Sequence, residues 1–292
     1  MRNLRIVASV EKLETAESLD PTIERVQEIV DSVVQPQAVR DVLHGVAAGH
    51  PIHPVAVLFP AGAWIGAGVL DAIPGNHKAA ELLVAAGIIS ATPAVLTGYT
   101  DWSDLSREQQ RVGIVHSAAN AAAIVLYAAS WVQRKRGHHV SGKVLGYLGL
   151  AVLSGSGFLG GHLAYRQGAG VNATADIRRR FPDGWQRLGL LDEFPEGRLL
   201  TAEVAGVTLL VYRRGAIVDV IADECSQCSE SLADGQVVGP PENPCVECPT
   251  NGAIFEFTTG EVVSGPATAP QPRFDAVVSE GMVDVRLAVR PE

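Results

Sequence analysis

Four stretches of this sequence are too long and too apolar to be left in water, and they dictate the first half of the fold. Residues 54–73 hold one ionisable side chain, Asp71, near their end, and residues 82–100 hold none apart from the Tyr99 hydroxyl. Tyrosines aside, residues 112–132 carry only His116 and residues 144–165 only His162. A bilayer-spanning helix needs about 17 to 25 mostly apolar residues, and each run meets or approaches that length. As a soluble helical core, four such runs joined by short polar loops would leave a large hydrocarbon surface in water. Four membrane helices are therefore expected. Pro60, Gly62, Gly66 and Gly68 inside the first run fit that reading, because membrane helices tolerate proline and use glycine for close approach.

Charge narrows the possibilities further. Over 292 residues the formal net charge is −9, which excludes the basic stripe a nucleic-acid footprint needs. The N-terminus meets Glu11 and Lys12 before an apolar stretch long enough for a cleavable export signal is complete, so none is expected. Residues 14–43 read as amphipathic helix, with Ile23, Val26, Ile29 and Val30 at helical spacing among charged neighbours. Arg134, Lys135, Arg136 and Lys143 mark the loop before the last span as cytoplasmic, but Arg107, Arg111, Arg166 and Arg178 to Arg180 lie on the other side. A long uncleaved segment precedes the first span. Weighing it with those arginines, the expectation is a multi-pass plasma-membrane protein with its termini and soluble part in the cytoplasm.

The composition changes near residue 180. Short alternating runs follow Leu199: 209–212, 217–221, 253–257, 261–263, 274–278 and 282–287, punctuated by Gly206, Gly215, Gly260 and Gly281 as turn residues. They predict a small antiparallel β domain. All four cysteines lie in it as two pairs, Cys225 with Cys228 and Cys245 with Cys248, with two residues inside each pair and sixteen between the pairs. Such spacing lets two turns aim four sulfurs at one centre. The cysteines are expected in two loops between strands, not in the middles of strands. A packing role for Cys245 and a local disulfide between Cys225 and Cys228 are the other readings of the same residues.

The order of features in this half resembles the Rieske iron–sulfur domain: a strand, the loop opening at Cys225, a turn at Gly235, the loop Cys248-Pro249-Thr250-Asn251-Gly252, then Phe255-Glu256-Phe257-Thr258-Thr259-Gly260 and the segment from Gly265 to Pro270. That family takes one cysteine and one histidine from each loop. The resemblance places Gln227 and Asn251 at the two histidine positions, and an amide is no substitute for imidazole on iron. The resemblance with this substitution implies an altered centre on Cys225, Cys228, Cys245 and Cys248, either an all-cysteine [2Fe–2S] cluster or zinc. Residues 45–171 likewise resemble a bacterial four-helix membrane domain of unknown function, through Gly49-His50-Pro51-Ile52-His53-Pro54, Leu96 to Trp102 and Gly160 to Arg166.

Four antiparallel spans bring His53, His116 and His162 to one leaflet, where ionisable side chains are costly and point to a site. Facing imidazoles there suggest haem b ligation or a quinone pocket. The expected organisation is thus an α + β multidomain chain: an N-terminal amphipathic segment 1–44, a four-helix transmembrane bundle 45–171, a linker 172–197 and a Rieske-like β domain 198–292. No Ser-His-Asp arrangement, P-loop or dinucleotide fingerprint is present. The expected role is a membrane-bound electron-transfer component, not a stand-alone catalyst, exchanging electrons with haem or quinone in the bundle or with a redox protein partner. A redox-inactive zinc-bound or metal-free module with a structural or regulatory role is the competing reading.

Overall fold

The computed structural model describes residues 5–288 and divides them into two compact units, 5–39 with 51–170 and 40–50 with 171–288. In the first unit, α1 (Arg5–Glu14) and α2 (Asp20–Val33) precede α3 (Gln37–His44), which runs into the second unit. The short α4 (His53–Ala56) and α5 (Leu58–Ala72) form the first span, followed by α6 (His77–Ser103), α7 (Arg107–Lys135) and α8 (His139–Tyr165). All four spans are long and apolar enough to cross a membrane, with mean hydropathy between 1.5 and 1.8. Their outward faces carry Leu58, Phe59, Leu82, Ile89, Val125 and Val144, all more than half exposed. Such a surface suits lipid and not water.

Inside the bundle, close approach is bought with glycine. Trp64 of α5 stacks on Tyr127 of α7 with ring centroids 4.2 Å apart, and its Nε1 donates to the Val84 carbonyl of α6 at 3.3 Å. A Cβ on Gly87 would stand 2.2 Å from Trp64 Nε1, and one on Gly149 would stand 2.9 Å from the Tyr127 ring. Gly87→Ala is expected to lower stability by about 1–3 kcal/mol, since a buried indole must shift to admit the methyl group. Thermal unfolding of the detergent-solubilised chain checks it, with Gly62→Ala, which meets nothing within 4 Å, as the silent control.

In α2, Ile23 and Val30 are buried, and Ile23 packs with Trp102 and Ile114. Ile29 is exposed instead, because it stands off that face. Arg111 fixes α2 to α7 through two 2.7 Å bonds to the Asp20 carboxylate, and the guanidinium holds that carboxyl below the usual carboxylate range.

Among the described residues, the second unit contains a short helix, α9 (Ile177–Arg180), and ten strands: β1 (Gln186–Leu190), β2 (Leu199–Val204), β3 (Val207–Arg214), β4 (Ile217–Ala222), β5 (Gln236–Val238), β6 (Cys245–Glu247), β7 (Ile254–Glu256), β8 (Val262–Ser264), β9 (Arg273–Ser279) and β10 (Met282–Leu287). They form a six-stranded antiparallel sheet in the order β1-β10-β9-β4-β3-β2 and a four-stranded one in the order β5-β6-β7-β8. Strand alternation explains how one strand serves two cores. On β3, Val207, Leu209 and Val211 enter a cluster with Phe181, Phe194 and Phe274, while Leu210 enters the cluster that holds Cys225, Cys248, Phe255 and Phe257.

Two expectations are corrected here. The stretch 172–197, read as a linker, supplies α9 and β1; β1 pairs with β10, and Ile177, Phe181 and Phe194 are core residues. Its five-residue strand holds Gln186, Arg187 and Gly189 and so lacks the apolar alternation that marked the other strands. Cys245, expected in a loop, is the first residue of β6.

Candidate metal centre

Two loops bring the thiols together. The first leaves β4 and folds back on itself: Cys225 donates its backbone N–H to the Glu230 carbonyl at 2.8 Å, Ser229 donates to Cys225 at 2.9 Å, and Leu232 donates to Asp223 at 2.8 Å. Ser229 takes φ +64° at the bend. The second runs from β6 to β7, where Cys248 donates to Ala253 at 2.8 Å and Gly252 donates to Cys248 at 3.0 Å with φ +73°. Ser226 Oγ donates to the Ala269 carbonyl at 2.8 Å, tying the first loop to the segment after Gly265.

At the loop tips the sulfurs of Cys225, Cys228 and Cys248 all lie within 4.8 Å of one another. Cys228 and Cys248 are 3.7 Å apart. A tetrahedral centre with metal–sulfur bonds of about 2.3 Å has a sulfur–sulfur edge of about 3.8 Å, so this pair is at ligand spacing. Cys225 and Cys248 are buried and Cys228 is half-buried. Cys248 concentrates the negative charge: S–H bonds from Cys225 and Cys228, with backbone N–H bonds from Asn251 and Thr250, hold its thiol far below the ordinary range. Cys225 is pushed up by its bonds to Cys228 and Cys248 and by burial. A metal held here would take the sulfurs as thiolates, so its binding would release protons.

Cys245 does not join them. On β6 it stands opposite Val238 and Glu256, with Sγ 3.6 Å from the Asn243 carbonyl, and burial followed by the Glu256 carboxylate pushes its thiol up. The four-thiolate set read from the spacing is therefore a three-thiolate set. Asn251 sits at the tip, its Oδ1 accepting from Ala253 N–H at 3.0 Å and its Nδ2 4.0 Å from Cys225 Sγ. Gln227 is half-buried and offers Cys225 its backbone N–H. Neither amide provides the imidazole nitrogen that a two-cysteine, two-histidine cluster requires on its second iron. The residues present fit a thiolate-held centre and do not fit that ligand set.

The three bundle histidines have partners of their own. His116 places Nδ1 2.8 Å from the Ser156 carbonyl and Nε2 3.1 Å from Asn120 Nδ2, so both ring nitrogens are engaged. His53 Nδ1 lies 2.9 Å from the Ala94 carbonyl, and His162 Nε2 pairs with Glu14 at 2.8 Å. Each joins one helix to another or to α1. What sequence reasoning missed is at the other end of the spans: Arg134 makes bonds of 2.8 and 2.5 Å to the Asp71 carboxylate, both side chains almost wholly buried. A lone acid closing one apolar run and an arginine closing another were the available signal.

Comparison with known proteins agrees with this architecture. Residues 49–173 match the model of a predicted membrane protein domain (DUF2231), and residues 184–275 match the Rieske [2Fe-2S] domain. The anthranilate 1,2-dioxygenase ferredoxin subunit of Burkholderia cepacia is 33% identical over 104 residues, 35% of this chain and 92% of that protein. Ferredoxin CarAc of Metapseudomonas resinovorans is 35% identical over 82 residues, 28% of this chain and 73% of that protein. The ferredoxin of carbazole 1,9a-dioxygenase from Nocardioides aromaticivorans IC177 aligns over 36% of this chain and all of that one, at 25% identity and a TM-score of 0.33. The chain belongs to the Rieske [2Fe-2S] domain family, and its helical half carries four candidate membrane spans. Its β domain is ferredoxin-like, and family membership supports an iron–sulfur cofactor.

Proposed function

We propose that this protein is a membrane-anchored electron carrier whose ferredoxin-like domain holds an iron–sulfur centre on Cys225, Cys228 and Cys248. The observation that carries the reading is the meeting of three sulfurs from two loops, with backbone N–H groups directed at them. Such hydrogen bonds stabilise thiolates and set the potential of iron–sulfur centres. Cys225, Cys228 and Cys248 would hold the centre, which when bound would supply one-electron transfer between a donor and an acceptor, with no bond made or broken in a substrate. The acceptor in this reading is a soluble or membrane-bound redox protein, since the relatives are ferredoxin subunits of oxygenases. Haem or quinone exchange at His53, His116 and His162 has less support, because both nitrogens of His116 are already engaged. The anchor holds the domain at the plasma membrane, on the cytoplasmic face in the balance of flanking arginines.

The test is made on the full chain, purified anaerobically from membranes. Brown protein with stoichiometric iron and acid-labile sulfide, bleached by dithionite and restored by air, is the expected result. Stoichiometric zinc without iron would overturn it in favour of a redox-inactive structural module. The 3.7 Å spacing of Cys228 and Cys248, which a single tetrahedral ion also accepts, is what favours that second reading.

A further inference from the structure

At the end of the bundle where α6 and α8 begin and α7 ends, a cleft of ≈ 410 Å³ is lined by His77, Lys78, Glu81, Arg134, Lys135 and His139, together with Gly137. Its acids are neutralised from within. Glu81 is paired to Lys135 at 2.9 Å, and Asp71, behind the wall, is spanned by Arg134. Lys78 is exposed on the rim, and the Lys135 side chain is half exposed although it reaches Glu81. His77 and His139 stack with centroids 4.8 Å apart and planes at 13°, joining the first residues of α6 and α8. Neither helix has a side-chain N-cap, so the positive ends of two 27-residue helices meet at this cleft, where the lining carboxylate, Glu81, is already paired with Lys135.

Depth decides what could supply an anion. A helix of 27 residues is about 40 Å long, against a hydrocarbon layer of about 30 Å, so its ends stand among the headgroups. Trp131, partly exposed with Lys135 Nζ 5.6 Å from its ring centroid, marks the interface from the α7 side. We propose that this cleft is a binding site for a phosphate group of net negative charge, with Lys78, Lys135 and the two histidine-bearing helix starts as its walls. The anionic group can come from a phospholipid such as phosphatidylglycerol or from free phosphate. The site is independent of the metal centre and of the electron-carrier reading.

The full chain in detergent is exposed to phosphatidylglycerol or phosphatidylcholine at equal concentration, and bound lipid is read by native mass spectrometry. Phosphatidylglycerol is expected to bind in preference, and Lys78→Gln, an exposed position that leaves the fold intact, to cut its occupancy about fivefold. His139→Gln, on the opposite wall, is the second variant and is expected to reduce occupancy in the same direction. Displacement by excess inorganic phosphate would support the site with a soluble ligand as its source; persistence of lipid would support it with the headgroup as source. Equal retention of both lipids with no phosphate bound, or phosphatidylglycerol binding unchanged in both variants, overturns the proposal.

Discussion

Cys248→Ser is expected to lower metal content at least tenfold, whereas Cys245→Ser leaves it unchanged. Cys248 is the sulfur on which the others converge: it accepts from two thiols and two backbone N–H groups, and it is the most acidic of the four. A serine hydroxyl keeps the volume but is a poor ligand for iron or zinc where thiolate is replaced, and at neutral pH it stays protonated. The remaining pair would then hold the ion through two bonds from one loop. Cys245, by contrast, faces Asn243 and the neighbouring strands, so its replacement alters packing on β6 and nothing at the tips. Metal analysis and the visible spectrum of each purified variant, with circular dichroism as the check on folding, give the comparison. Metal loss in Cys245→Ser equal to that in Cys248→Ser would restore the four-thiolate centre.

The contrast between those two cysteines shows where sequence reading runs out. Spacing alone makes Cys245-Val-Glu-Cys248 look like a second two-ligand turn. In the structure the first cysteine belongs to β6, paired on both sides, and only the second has passed the strand's end. A three-residue strand between Pro244 and Pro249 carries too few residues to show an alternating pattern. In β1 the obstacle was composition, because Gln186, Arg187 and Gly189 break the apolar alternation inside a stretch rich in proline, glycine and arginine. The four spans were legible because hydrocarbon thickness imposes a length that no local detail can disguise. The turns at Gly206, Gly215, Gly260 and Gly281 were legible too, and each takes positive φ. For the histidines, residue type and depth were readable, but the carbonyls and amides that occupy their rings come from other helices. No periodicity within one helix reports those partners.

A second large effect is expected deep in the bundle, where Asp71→Asn should destabilise the protein by about 3–5 kcal/mol, the cost of leaving a buried charge without its partner. Arg134 is held in a site cut to its shape. Its two terminal nitrogens reach both Asp71 oxygens, its Nε donates to Ser130 Oγ at 3.1 Å, and a Cβ on Gly142 would stand 2.6 Å from its Cγ. Lys143 Nζ donates to the Asp71 backbone carbonyl at 2.7 Å, so α5 receives cationic partners from both α7 and α8. Asparagine is nearly isosteric with aspartate, and the loss is therefore one of charge compensation rather than volume. Removing both charges together, as Asp71→Ala with Arg134→Met, takes away the stranded cation and should recover most of that loss, because the pair's own desolvation cost disappears with it. Thermal unfolding in one detergent, compared across parent, single and double variants, separates these terms. A single variant within about 1 kcal/mol of the parent would mean that water or headgroups reach Arg134 and screen it, as they do for exposed ion pairs.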